Sequence, residues 1–454
     1  MPWRHIWHIS LLYVPSDTTH QYLLLACTRR SVAADWGQAP TAFPVSAPTS
    51  SATATPAAMS PLFIIGLLAL LLGFQPLTTD LYLPAMPLLT EQLQATVAQT
   101  QTTFYALILA FGCSQLVWGP VSDRFGRRPV LLIGIALYVL AAIGCALAPH
   151  MAALIAFRTL QGVALGSVVM AARAIVRDLY QPVEGAHVMS KALSGLGVLA
   201  CSSPLVGSWL AQHVGWRSTM VALAFIGAGT WLLVWLRFQE SVQHFNAQAL
   251  QPQRLLDNWR AIVRNPTFLA YTATTTCSYG GLVVFLTGAP FVFTHVLGWN
   301  ATHIGALLAA NGVVYIGGTM LCRQLLPRLG VRGAVAVAGA LALLCAALLL
   351  VLAWADVRSG LAYAGVCMLY PIAHGIQQPC GQSGAISAFP KAAGMASALN
   401  GFIMMLFAFA TGQLLGRSFN GTVYPLVFGL GFWCLAAALA SWTLVRRYGA
   451  PSNA

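Results

Sequence analysis

Charge is what this 454-residue chain has least of. Asp, Glu, Lys and Arg together make up 7% of it, where a soluble chain carries roughly a quarter. That deficit excludes a soluble globule. Acidic residues number ten, and lysine occurs only as Lys191 and Lys391. The net charge is nevertheless +13, because arginine outnumbers every other ionisable type. A basic excess can mark a nucleic-acid binder. Here the arginines stand singly or in small groups between apolar runs and form no basic face, so nucleic acid is not expected as a partner. Several chemical signatures are missing too. There is no Gly-x-x-x-x-Gly-Lys-Ser/Thr phosphate loop, hence no intrinsic ATPase. No His/Cys/carboxylate set has metal-ligand spacing, and no Gly-x-Ser-x-Gly elbow offers a nucleophile. Of ten cysteines, nine lie in apolar segments and none forms a Cys-x-x-Cys pair, so they read as small hydrophobes. Neither an enzyme, nor a metal, nor a cofactor is expected.

What the chain does have is hydrophobic length. Apolar residues make up 58% and the mean hydropathy is +0.74. From Pro61 onward, runs of about 20 residues recur, each enough to cross roughly 30 Å of hydrocarbon as a helix. Twelve are predicted, at 61–83, 101–121, 130–148, 152–175, 188–211, 217–237, 267–292, 302–322, 332–353, 361–384, 395–415 and 423–444. The expected class is therefore an all-α integral membrane protein. Placing the N-terminus inside puts fifteen basic residues in cytoplasmic segments and leaves Arg217, Arg358 and Arg417 outside. That asymmetry predicts that both termini are cytoplasmic.

Residues 1–58 differ in kind. Ser31 to Ala58 is rich in Ala, Ser, Thr and Pro with Asp35 its single charge, and it reads as a disordered extension. Met59 directly precedes the first span, so translation starting there is one expectation and a genuine cytoplasmic tail the other. The rest divides into a six-helix bundle at 59–237, a polar linker at 238–266, a second six-helix bundle at 267–446 and a tail at 447–454. The halves read as repeats: Gly119 and Gly318 both close an even-numbered span, Arg124 aligns with Arg323, and Cys322 falls where Asp123 would. Paired halves are an architecture for alternating access around a midplane site.

The densest charge lies in Gly119-Pro-Val-Ser-Asp-Arg-Phe-Gly-Arg-Arg-Pro129, between the second and third spans. Gly119, Asp123, Arg124, Gly126, Arg127 and Arg128 define a tight polar loop. It resembles the signature loop of the major facilitator superfamily of secondary transporters. Asp123 can accept hydrogen bonds at the positive end of a neighbouring helix. The arginines can pair with carboxylates such as Asp178 or Glu184, or attract anionic lipid. Contacts of this kind latch one state and break in the other, which makes the loop a gate component.

Asp80, in Thr78-Thr-Asp-Leu-Tyr-Leu-Pro-Ala-Met-Pro87, is the carboxylate that matters. It is costly in a span unless it faces water or a partner, and loss of water disfavours its charged form, which suits a proton carrier. The alternative is a hydrated carboxylate at a helix end. Arg158 opens Arg-Thr-Leu-Gln-Gly in the fourth span and is similar to a family motif associated with proton coupling; a purely structural partner for carbonyls is its alternative. Gly195, Pro204 and Gly207 in the fifth span resemble the glycine-proline motif of family exporters, with Ser203 where the stronger form has glycine.

Polar and aromatic residues inside spans are candidate cavity lining: Tyr82, Tyr105, Gln115, Gln161, Tyr279, Asn311, Gln377, Gln378 and Asn400, with Tyr138, Tyr315, His374 and Gln413. Interhelical hydrogen bonding is the alternative for each. The segment Asp80–Pro87, and Phe389–Gly401 near the eleventh span, are similar to the bicyclomycin and chloramphenicol resistance group (Bcr/CflA); Lys391 stands where that group commonly has an acid. The resemblance covers residues 60–446. It implies a monomeric antiporter in the bacterial cytoplasmic membrane, exporting small amphipathic drugs at the expense of a proton gradient. A same-fold transporter of a physiological solute, such as a nucleoside or amino acid, is the alternative.

Overall fold

A computed structural model describes residues 59–449 apart from Gln181, Gln243, His244, 246–249, Pro390 and Lys391. The proposed extension at 1–58 and the last residues of the tail lie outside the described part. Fifteen α-helices carry the chain: α1 (Pro61–Asp80), α2 (Met86–Gln92), α3 (Val97–Phe125), α4 (Arg127–Leu147), α5 (Met151–Leu179), α6 (Pro182–His213), α7 (Arg217–Arg237), α8 (Pro252–Val263), α9 (Pro266–His295), α10 (Ala301–Trp354), α11 (Gly360–Cys367), α12 (Leu369–Ser387), α13 (Ala393–Ser418), α14 (Tyr424–Leu439) and α15 (Arg446–Tyr448).

Helix starts follow local chemistry. Ser60 accepts from the Phe63 amide ahead of α1. Thr96 and Gln99 form a reciprocal capping box on α3, and Asn265, Asn300 and Ser359 cap α9, α10 and α11. Each satisfies an amide that a helix start leaves free. All these caps sit between spans, where the backbone leaves the hydrocarbon.

Ten helical stretches are long and apolar enough to cross a bilayer among the described residues. Two irregularities reconcile these with the twelve predicted spans. α10 runs for 54 residues, about twice a crossing, and turns at Gly330, whose φ of 63° and ψ of −178° are not helical. α11 and α12 form one crossing interrupted at Met368. The twelve crossings form two six-helix bundles, α1 with α3–α7 and α9 with α10–α14.

Met59 and Gly449 lie at one end of the bundle, called here the terminal end; the other is the distal end. Within the first half, α5 packs against α1, α3, α4 and α6, and α4 packs on α7; in the second half α12 packs on α9 and α10. The halves meet through α3 against α13 and α6 against α10. Side-chain bonds tie them at the distal end. Gln101 donates to the Thr287 carbonyl at 2.9 Å, Tyr105 meets the Thr287 hydroxyl at 2.5 Å, Gln413 donates to Thr102 at 3.1 Å and Thr302 to Gln212 at 3.0 Å. The segment from Leu83 to Gln92 closes the same end by packing on α9 and α10. The amphipathic linker helix α8 buries Ile262 while Asp257 stays exposed.

Close helix approach rests on small residues. A Cβ on Gly162 would lie 2.2 Å from the Leu107 carbonyl oxygen, whereas one on Gly66 would meet nothing within 4 Å. Gly162→Ala is expected to force α3 and α5 apart and to cost about 1–3 kcal/mol, with Gly66→Ala neutral. Thermal unfolding of the two variants in detergent checks this; equal melting temperatures would contradict the packing.

Candidate functional site

The polar loop between α3 and α4 is built as one ion network. Arg127, the first residue of α4, is 6% exposed. Its guanidinium donates to Asp123 at 2.7 Å and Ser122 at 2.9 Å on α3, and to both carboxylate oxygens of Asp178 on α5, at 2.8 and 3.4 Å. Asp178 also accepts from the Ser241 hydroxyl at 3.1 Å. Gly126 joins the helices with φ 100°, a conformation that suits glycine.

The anion at the start of α4 is Glu240, just beyond α7. Its carboxylate accepts from the Arg127 amide at 2.8 Å and the Arg128 amide at 3.0 Å. Free amides and the helix dipole both favour a negative charge there. A Cβ on Gly126 would lie 2.5 Å from that carboxylate, so the glycine also makes room for it. The sequence expectation gave Asp123 the helix-end role; in this conformation Asp123 bonds Arg127 instead. Of the other two arginines, Arg128 donates to the Trp235 carbonyl at 3.0 Å and Arg124 lies against the Phe125 ring. Neither pairs with Glu184. The network thus gathers α3, α4, α5, α7 and the linker within the first half.

The second polar centre lies near the distal end of α1. Asp80 is the last residue of α1, where the helix gives way to a short tight turn at Leu83–Ala85. Its carboxylate accepts from Thr79 Oγ1 at 2.8 Å and is only half-buried. Cys201 on α6 and Tyr279 on α9, one from each half, are near enough to feel its charge, which sets Asp80 close to the seam between the halves. The residue lies inside the apolar stretch Pro61–Gln92, whereas Asp123, Asp178 and Glu240 lie at the terminal end of the crossings.

Arg158 is completely buried and has no carboxylate partner. It donates to the Thr78 carbonyl at 3.3 and 3.4 Å and to Gln161 at 2.9 Å, and its guanidinium stacks 4.4 Å from the centre of the Tyr82 ring. Its Nε hydrogen and the Gln161 Nε2 find no acceptor. Tyr138 bonds the Thr78 hydroxyl at 2.6 Å and Tyr82 bonds Thr103 at 2.6 Å. The arginine thereby grips the α1 backbone two residues before Asp80, without contacting the carboxylate itself.

In the fifth crossing, Gly207 lies under the Leu81 carbonyl, Gly195 meets Ala69, and the Pro204 carbonyl faces Gly305. The glycines fit α6 onto α1, and the Pro204 turn fits it onto α10. Of the proposed lining residues, Tyr279 is partly open. Tyr82, Tyr105, Gln115, Gln161, Gln378 and Asn400 are buried in bonds between or along helices, for example Asn400 accepting from Thr275 at 2.9 Å and Gln378 donating to the Thr275 carbonyl at 3.0 Å. Asn311 and Gln377 are buried with unpartnered amide atoms. His374 is buried between Ser278 and the rings of Tyr315 and Tyr370. Sequence reading missed Glu240 as a functional residue. Its signal was an acid placed immediately after a span that ends in Arg237.

Two six-helix halves, bonded at one end and with a carboxylate near their seam, describe a multi-pass membrane carrier. The sequence model of the Major Facilitator Superfamily matches residues 68–412, and the chain belongs to that superfamily of transporters. It is 24% identical over 392 residues to a bicyclomycin resistance protein homolog of Haemophilus influenzae, covering 84% of this chain and 95% of that one. It is 31% identical over 265 residues to the MFS-type transporter YdgK of Bacillus subtilis, covering 57% and 64%. Against a chloramphenicol resistance protein of Pseudomonas aeruginosa it is 30% identical over 255 residues, covering 55% and 59%. The chain thus spans under two thirds of two of these relatives and nearly all of the third. Among these relatives are proteins named for bicyclomycin and chloramphenicol resistance. The fold is shared with a D-xylose–proton symporter, at TM-score 0.69 and 16% identity over 85% of this chain and 98% of that one.

Removing the Glu240 carboxylate leaves two amides of α4 without their acceptor. Glu240→Ala is expected to destabilise the protein by about 1 kcal/mol, and Glu240→Gln by less, because its amide oxygen still accepts. Melting temperatures in detergent at low salt give the order; Ala and Gln variants that both melt like the wild type would refute the capping role.

Proposed function

We propose that this transporter is a proton-driven antiporter that exports small amphipathic compounds across the bacterial cytoplasmic membrane, with both termini inside. The observation that carries the reading is Asp80, a half-buried carboxylate at a helix break, close to the seam between the halves. A titratable group in that position takes a proton from one side and releases it to the other when the halves rock. The drug-resistance names of the relatives support the substrate class, and the arginine-rich terminal end supports the orientation.

In the proposed cycle, the present conformation is sealed at the distal, outward end by Tyr105, Gln101 and Gln413. Opening that end exposes Asp80 to outside water and allows it to take up a proton. Neutralisation removes the cost of desolvating a charge and lets the halves close again outward and open inward. Proton loss is then linked to capture of the substrate. Arg158 positions this carboxylate through the α1 backbone. It holds the Thr78 carbonyl next to the helix break. The Arg127 network and Glu240 keep the terminal end of the first half rigid, so that it moves as one body. The protein itself does no covalent chemistry in this reading. It acts as a monomer, and the proton gradient is its energy source.

Cells lacking their major pumps and expressing the chain test this. Lower chloramphenicol accumulation that a protonophore abolishes is the expected result. Asp80→Asn is expected to reduce active efflux by at least about tenfold while the protein still reaches the membrane. An Asp80→Asn protein that still concentrates substrate against a gradient would sink the assignment. Unchanged accumulation with wild-type protein in the membrane would move the reading to a dedicated metabolite carrier.

A further inference from the structure

The central helix of the first half contains one residue out of keeping with its surroundings. From Gln161 to Val176, α5 is buried or nearly so at every position but Arg173, which is exposed. α5 is the helix that α1, α3, α4 and α6 all pack against, so an exposed position on it stands out. The next turn fixes the direction. Arg177 is also exposed, and a Cβ on Gly394 of α13 would lie 2.9 Å from its Nη1. This stripe of α5 therefore looks across the interface at the second half.

Neither guanidinium has an ion-pair or hydrogen-bond partner among the described residues. The nearest acids are committed elsewhere: Asp178 to Arg127 and Ser241, and Asp123 to Arg127. Arg173 is crowded by protein and feels the like charge of Arg177. A charge at membrane depth is costly when unpaired and marks a pathway or a ligand partner. Arginine offers a rigid planar fork matched to a carboxylate.

We propose that Arg173 anchors a planar anionic head group, of the carboxylate type, on the compounds this protein carries. The inference rests on the small-molecule transport reading and narrows it. Carried compounds with an apolar body and a negative head are held by it about two turns inside the terminal end of α5, well away from Asp80 at the distal end, while a neutral compound such as chloramphenicol binds without this anchor. Division of labour follows: Asp80 handles the proton and Arg173 the substrate charge.

The test uses the full chain in detergent and three probes with one aromatic body: naphthoate, naphthamide and naphthylmethylamine, with negative, neutral and positive heads. Calorimetric titration is expected to show naphthoate binding about tenfold more tightly than naphthamide, with a preference that weakens as salt rises. Arg173→Gln is expected to erase that preference and leave naphthamide binding within about twofold of wild type; Arg173→Lys retains part of it. Should Arg173→Gln fail to fold, a dicarbonyl reagent that modifies arginine replaces it, read by peptide mass spectrometry. Naphthoate is then expected to protect Arg173 where naphthamide does not. The proposal is overturned by equal affinity for naphthoate and naphthamide, by absence of naphthoate binding, by a preference that survives Arg173→Gln, or by equal modification with and without naphthoate. Because these are binding measurements, their failure is separable from a failure of proton-driven efflux, which the Asp80→Asn assay reads on its own.

Discussion

Hydrocarbon offers no hydrogen bonds, so every backbone amide and carbonyl within a crossing has to be satisfied by the crossing itself. Most of this molecule follows from that rule. It makes the spans helical, pushes caps such as Ser60, Thr96 and Asn300 into the interspan segments, and makes each departure from helix conspicuous. Among the described residues the chain departs at Leu81–Ala85, at Gly330, at Met368 and, as a π-helical turn, at Ala440–Val445. Two of these solve connection and packing problems. The first frees backbone beside a carboxylate, and the Thr78 carbonyl just before it is taken up by a buried arginine.

The same medium explains the economy of charge. Buried charge in the described part is held by polar partners. Arg127 is buried and has two carboxylates around it, which compensates its desolvation. Arg158 is more deeply buried and has carbonyl, amide and aromatic partners in place of an acid. It holds the backbone of α1, a helix that touches α5, α6 and α7.

Rigidity within each half is a complementary requirement. Glu240 and Asp178 tie the linker to α4 and α5, while glycines at 162 and 207 let α5 and α6 seat against neighbouring carbonyls. The bonds between the halves are fewer and sit at one end. Tyr105 to Thr287 and Gln413 to Thr102 are neutral pairs, each of modest net strength, and such contacts can break and re-form without exposing charge.

Hydrophobic periods of membrane length, the arginine asymmetry and the dense loop at 119–129 are linear properties, so the sequence by itself determined the class, the number of crossings and the likeness to secondary transporters. It also singled out Asp80 and Arg158, because ionisable residues within apolar runs are rare enough to be noticed one by one. Their relationship was not legible. α5 starts 71 positions after α1 ends, and only packing shows that Arg158 grips the Thr78 carbonyl without touching the Asp80 carboxylate. The same limit applies to Glu240, whose place at the start of α4 depends on α7 returning beside the loop. It applies to Tyr82 and Gln378 as well, whose polar atoms turn into neighbouring helices. Which side of a helix faces lipid, a partner or the interface depends on neighbours far away in the chain, and for Arg173 the tertiary structure alone decided it.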